Sequence, residues 1–420
     1  MALPHSLRAF RHRDYRLWHV GQGISQTGTW LQLIATSWLV YHLSSSTFVL
    51  DVAAFALHIP LLVLGPFAGV WVDRQKKRKV LLITQNVALL QSIVMLALVA
   101  SGHVEVWHLV LANFVLGVVN AVDSPARQSQ LVELVGGKED LPNAIAFSSA
   151  LMNGARFIGP MIGGAVIAGL GEVWGFGLNS IMRVAVIVAL VMIRAMPRPT
   201  EKGTSGWRAE FAAGFRYAYG FLPTRSALLL LSAVSFAVQP YQSLAPYFAR
   251  DVFHGEAQVL GWLIGAGGFG AVSGMFYLAL KPSVRGLLSL IPFTAALSGV
   301  GLIVFSFTTS LWLALPMLYL VGMGAMLSAA STNTVLQTIV EDRMRARVVA
   351  IYMMSFLGVT PLGALFAGTV AEHIGAPATL GLGGVLALCA AFVYWANLGS
   401  IRNEIRPVYQ KLGIVPRTDA

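Results

Sequence analysis

The chain has little charge and almost no cysteine. Only 11% of its 420 residues are Asp, Glu, Lys or Arg, against 56% hydrophobic. Average soluble domains carry about 25% charged residues. So small a polar fraction cannot coat a globule of this size, and lipid is the expected outer solvent. A single cysteine, Cys389, excludes an intramolecular disulfide and a thiolate metal cluster. There is no Gly-x-x-x-x-Gly-Lys-Ser/Thr loop, which argues against ATP hydrolysis. The nine histidines have no His-Glu-x-x-His or comparable spacing, so no metal, no cofactor and no enzymatic site is expected. The glycines from Gly261 to Gly274 sit in an apolar run rather than behind a strand, which reads as helix packing instead of nucleotide binding. The segment Arg8 to Arg16 is basic and lacks the apolar core of a removable signal peptide.

Long apolar runs are what the chain has in quantity. Stretches near the length of a bilayer-crossing helix cover 17–42, 48–71, 79–101, 106–123, 142–169, 173–195, 226–248, 258–280, 286–307, 311–332, 346–369 and 377–399, giving twelve spans. The even count puts both termini on one side. A net charge of +11 would suggest nucleic acid in a soluble protein. Here all of the 29 lysines and arginines except Arg156, Arg183 and Arg250 fall in alternate connecting segments, most densely at Arg74, Lys76, Lys77, Arg78 and Lys79. The charge therefore reads as a topology signal, with those segments and both termini cytoplasmic and no nucleic-acid partner.

The longest inner segment divides the chain into a six-helix bundle (1–194), a cytoplasmic linker (195–225), a second six-helix bundle (226–400) and a cytoplasmic tail (401–420). Within the linker, Trp207, Phe211, Phe215 and Tyr219 share one face of an amphipathic helix suited to lipid headgroups. The two halves echo each other. Asp123-Ser-Pro125-Ala-Arg127 follows span 4, and Asn333 to Arg347 follows span 10; Gly159-Pro160-x-x-Gly163-Gly164 in span 5 is matched by Gly358-x-x-Pro361-x-Gly363 in span 11. Gly/Pro-interrupted spans at matching places in two halves mark a duplicated transporter. The expected fold is an all-α membrane protein with twelve transmembrane helices in two pseudo-symmetric six-helix bundles.

Gly69-x-x-x-Asp73-Arg74-x-Lys76-Lys77-Arg78 resembles the signature loop of the major facilitator superfamily between spans 2 and 3, with Lys76 in place of the usual glycine. Gly28-Thr-Trp30-Leu-Gln32, Asp123-x-Pro125-x-Arg127, Asn143-Ala-Ile, Arg156-x-x-Gly159-Pro160 and Arg345-Ala-Arg347-Val resemble its bacterial exporter branch, which includes enterobactin exporters and drug efflux proteins. The span-5 run Ala155 to Gly164 resembles the exporters' antiporter motif, with Ala155 where a glycine is usual. The resemblance implies a secondary transporter of the bacterial inner membrane, acting as a monomer. It would export a small amphipathic molecule (a drug, siderophore or metabolite) by alternating access in exchange for protons. A lipid or lysophospholipid flippase, or an importer of the same fold, stays open as an alternative.

The residues carry their own expectations. Gly69 lets a neighbouring helix approach closely, and Asp73 can face the positive N-terminal end of span 11. Arg74 and Arg78, with Arg127 or Arg345, would complete a cytoplasmic gate; the alternative is that the loop cations are topology anchors only. Gly159, Pro160 and Gly163 let span 5 bend and pack tightly. Ionisable groups at membrane depth are functional candidates. Arg156 would meet an anionic substrate group or a carboxylate, or bond helix carbonyls. Asp51, near the outer end where water can reach it, and His58, in mid-span, join Arg156 as proton-coupling candidates. The superfamily often has an arginine on span 4 where Asn113 stands, which weakens the case for proton exchange. Gln26, Gln32, Asn113, Asn153, Gln239, Tyr241 and Gln242, beside Trp30, would line a largely apolar cavity, although glutamine is also common helix–helix glue.

Overall fold

The computed structural model describes residues 5–135, 140–194, 207–281, 283–411 and 414, and among these all regular structure is helical. The helices are α1 (Arg13–Ser44), α2 (Thr47–Asp73), α3 (Lys77–Ala100), α4 (Val106–Leu134), α5 (Leu141–Leu170), α6 (Glu172–Met192), α7 (Trp207–Gly220), α8 (Leu222–Val238), α9 (Tyr241–Tyr247), α10 (Ala257–Leu280), α11 (Leu287–Phe307), α12 (Leu311–Ile339), α13 (Asp342–Met353), α14 (Thr360–Ile374), α15 (Ala376–Ala396) and α16 (Leu398–Lys411). Spans 1 to 6 are α1 to α6. Span 7 is α8 and α9 with the π-helical turn Phe248–Val252, and span 11 is α13 and α14 around a second π-helical turn, Met354–Gly358.

Eleven spans are long and apolar enough to cross a bilayer among the described residues. The twelfth, α1, has the length, 32 residues, but its apolar character is diluted by Gln22, Ser25, Gln26, Thr29, Gln32 and Thr36. Large apolar side chains stand bare on the surface, among them Phe276, Leu280, Phe307 and Phe392. Water would penalise such a surface and hydrocarbon does not.

Two compact units emerge from the packing. The first is Met1–Lys202 with Ala245–Gly265; the second is Gly203–Leu244 with Ala266–Ala420. In the first, α1 packs on α5 and α6, α2 on α4, and α3 on α4 and α6. In the second, α11 packs on α12 and α15, α8 on α15, and α7 on α13. The duplication is visible in the turns: Gly171, between α5 and α6, and Gly375, between α14 and α15, adopt φ of +87° and +84°. Only glycine takes that conformation without strain.

Several boundaries differ from the sequence expectation. The loop 124–141 is helical as far as Leu134, with Pro125 inside α4; burial of Ala126, Leu131 and Leu134 in the first unit's core outweighs the lost backbone bond. The segment 333–347 shrinks to a short junction between α12 and α13. Span 7 breaks at Gln239–Pro240. The tail forms α16, whose Leu398, Ile401, Ile405 and Tyr409 are buried at helical spacing. An amphipathic helix was expected at 207–219 and α7 occupies it; the connector 195–206 lies outside the described residues.

Candidate functional site

The first unit holds most of the expected site. Gly23 meets the Leu151 side chain, Trp30 sits against Gly159, and Leu31 against Gly163, so α1 and α5 run parallel in one register. A Cβ on Gly159 would lie 2.5 Å from the Trp30 Cβ, so glycine is what lets the indole seat there. This register places Gln26 level with Arg156, and Trp30 one helical turn further along. Gln26, Trp30 and Arg156 are all half-buried. None of the three makes a hydrogen bond or ion pair among the described residues. An arginine at membrane depth without a partner costs several kcal/mol unless something else supplies the acceptor. Asn153, one turn before Arg156, donates to the Ser149 carbonyl at 2.7 Å.

Span 5 has a second face, toward the start of α10. A Cβ on Gly164 would lie 2.6 Å from the Ala257 carbonyl oxygen, and one on Gly261 would lie 2.6 Å from that of Pro160. The Gly159–Gly164 run thus serves two neighbours, α1 through Gly159 and Gly163 and α10 through Gly164.

Two of the expected cavity residues are instead buried glue. Gln32, 2% exposed, donates to the Gln91 Oε1 at 3.0 Å and accepts from the Asn179 amide. Asn113 donates to the Ala53 carbonyl at 3.0 Å, tying α4 to α2. In the second unit, the Tyr241 ring end packs on Gly267, and Gln242 donates to Gln239 at 3.2 Å beside the Pro240 break.

The basic end of the first unit carries a buried ion-pair network. Asp123, 2% exposed, accepts from the Arg127 Nε at 2.8 Å, the Thr84 hydroxyl at 2.8 Å and the Gln85 amide at 2.9 Å. Gln85 in turn accepts from Arg183 Nη1 at 3.2 Å, and Thr29 accepts from Nη2 at 3.4 Å. Gln85 therefore links two buried charges, and Arg183 pairs across helices. Arg127 is committed to Asp123, a residue the expected gate did not include. Arg78 donates to the Leu190 and Val191 carbonyls at 2.7 and 2.6 Å, closing the end of α6, while Arg74 and Arg345 are exposed. The close approach expected at Gly69 is absent: among the described residues nothing lies within 4 Å of where its Cβ would be. The side chain of Asp73 lies outside the described residues.

The proton candidates differ from one another. Asp51 is fully buried, not washed by water as its position near the helix end suggested, because α2 tucks that face inward. His58 Nδ1 donates to the Ala54 carbonyl at 2.8 Å, one turn back on its own helix.

At the opposite end from the cationic loops lies a contact missed from sequence. The Tyr41 hydroxyl, at the close of α1, donates to Asp251 at 2.5 Å. Arg250 lies 5.7 Å from the Tyr41 ring centroid and reaches the Tyr41 carbonyl and Ser45 hydroxyl at 3.5 Å each. In the sequence, Arg250 stands apart from the other lysines and arginines of the connecting segments, and that isolation was the available signal.

A family model described as transmembrane secretion effector matches residues 5–405. The chain is 28% identical over 416 residues to the multidrug efflux pump Tap of Mycobacterium tuberculosis, covering 94% of each. It is 23% identical over 373 residues to the staphyloferrin A transporter of Staphylococcus aureus, covering 88% of this chain and 92% of that one. A solved bacterial homologue of the human lysosomal transporter Spinster matches with a TM-score of 0.72 at 15% identity, covering 96% of this chain and 99% of that one, and shows the shared fold. Matched over nearly its whole length, the chain belongs to the transmembrane secretion effector family, membrane transporters of the major facilitator superfamily.

Proposed function

We propose that this transporter exports a small amphipathic organic compound bearing an anionic group, by alternating access and in exchange for protons. Arg156 carries the reading: a cation at membrane depth, unpaired, level with Gln26 and one turn from Trp30. The guanidinium would take the anion, the glutamine a hydroxyl or amide, and the indole the apolar body. Relatives named for a siderophore and for multidrug efflux fit that class. Asp51 is the favoured proton carrier, since His58 has its Nδ1 proton engaged by the backbone. The alternate placement of the basic segments supports cytoplasmic termini in a bacterial inner membrane.

The test compares retention of an acidic, neutral and basic compound panel in deletion and overexpression strains, with and without a protonophore. Arg156→Gln should lower export of the acidic members about tenfold or more, as expected for a lost charged hydrogen bond of about 1.5–3 kcal/mol, and Arg156→Lys should restore part of it. Undiminished export of acidic compounds by Arg156→Gln would sink the assignment. Export that survives the protonophore keeps efflux and removes the proton. The flippase alternative draws support from an apolar groove of about 750 Å3 between α2 and α4, lined by Phe48, Val52, Trp107, Leu111 and Phe114; lipid translocation in vesicles with no soluble export would favour it.

A further inference from the structure

Helix α16 lies outside the spans, yet it is fastened to the second unit. Arg402 donates to the Ser289 hydroxyl at 2.6 Å, and Arg285 donates to the Ile414 carbonyl. Between α16, α7 and the α12–α13 junction is a cavity of about 780 Å3, within the usual range of ligand sites, about 300–1,000 Å3. Three helices distant in sequence each bring it one cation: Arg216 from α7, Arg345 from α13 and Lys411 from α16. Among the described residues Glu341 is the only carboxylate on its wall, and their formal charges sum to an excess of two positive. The Tyr217 and Thr338 side chains are beside them, and Phe221, Ile339 and Val408 supply apolar wall. The N-terminus of α13 starts here, and its N-cap, Glu341, makes no side-chain capping bond; helix N-termini attract anions.

Setting topology requires cations near the membrane surface. It does not require three of them, from three helices, on one cavity, where they repel each other. We propose that this cavity binds a phosphate group, presented either by an anionic phospholipid or by a soluble organic phosphate. Arginine forks suit phosphate oxygens, and basic pockets between helices hold anionic headgroups. The bound anion would join the linker helix α7 to the tail helix α16. This site is separate from the export surface on α1 and α5 and does not depend on it.

The full-length protein is compared with Arg216→Ala/Lys411→Ala and with the control Lys76→Ala/Lys79→Ala, whose exposed lysines lie outside the cavity. In nanodiscs of phosphatidylcholine with about one tenth phosphatidylglycerol, native mass spectrometry reads the retained anionic lipid. At about 1 kcal/mol per basic residue, the cavity variant should lose about 30-fold in relative retention and the control little. In lipid-depleted detergent, inorganic phosphate and glycerol phosphate are titrated while thermal unfolding is followed. Loss confined to phosphatidylglycerol assigns a headgroup, and stabilisation by the soluble phosphates in wild type but not the variant assigns a free phosphate. Equal behaviour of wild type and cavity variant in both arms overturns the site and leaves its cations as topology anchors. Should the double variant not fold, Arg216→Gln, at an exposed position, gives the same readings.

Discussion

Replacing Gly164 by alanine tests the packing of α5 on α10 most directly. The new Cβ would lie 2.6 Å from the Ala257 carbonyl oxygen, 2.9 Å from the Gly261 Cα and 3.1 Å from the Gln258 Cα. All three obstacles are backbone, so no side chain can rotate out of the way. Ordinary contact begins at 3.4 Å, which means the helices must part by up to about 0.8 Å. Overpacking of this kind costs about 1–3 kcal/mol. If the conformation with α5 and α10 together is destabilised by that amount, its population relative to a separated one falls about 5- to 150-fold. Spin labels at Leu43 and Glu256, both exposed, in a Cys389→Ser background would report the distance between the end of α1 and the start of α10. Gly164→Ala should add a longer-distance population, and Gly164→Val should make it dominant and depress transport. Gly154→Ala is the control, because among the described residues nothing lies within 4 Å of its Cβ position. Unchanged distances and transport in both Gly164 variants would show that close packing there has no conformational role.

Tyr41→Phe removes a hydrogen bond to a charged acceptor, worth about 1.5–3 kcal/mol, and should shift the same spin-label distances about tenfold or more toward separation; an unchanged distribution would mean that the contact is incidental. Asp123→Asn should lower the detergent melting temperature strongly, since breaking a buried pair costs about 3–5 kcal/mol. Asp123→Asn/Arg127→Gln should cost less than the sum of the singles, and strict additivity would refute the pairing. The hydrogen bond from His12, reinforced by the charges of His12, Arg8 and Arg11, holds the Asp140 carboxyl below its ordinary value. A lowered folded-state value stabilises above the ordinary carboxylate range and is lost as pH falls through the lowered value. Protease protection of the segment His5–Arg11 should therefore decline on acidification, and Asp140→Asn should remove that dependence.

Much of the fold was legible because it rests on coarse quantities. Run length gave the spans, and Gly159-Pro160-x-x-Gly163-Gly164 stood out because glycine and proline are conspicuous in an apolar helix. What it packs against, Trp30 and Leu31 on one side and Gly261 on the other, was not legible, since residue identity does not name the neighbour. The polar residues were harder still. Gln26 and Gln32 lie on the same helix six positions apart, and composition treats them alike. One is unpartnered among the described residues and the other is locked to Gln91 and Asn179; only the rotation of α1 against its neighbours separates them. Asp123 was seen as part of a motif but not as the hub of a network, because Thr84, Gln85 and Arg183 come from two other helices. The missed α16 is different: Leu398, Ile401, Ile405 and Tyr409 are readable at helical spacing, but the frequent charges around them disguised the segment as a tail.

The two carbonyls held by Arg78 give the cationic turn after α2 a second duty. Sidedness asks only for positive charge, and lysine would supply it as well. Lysine has no planar fork to span two successive oxygens, so at this one position a swap that preserves every unit of charge would still loosen the last turn of the sixth span. A basic stretch expected from sequence to read as a topology signal thus also ties the start of the third span to the close of the sixth.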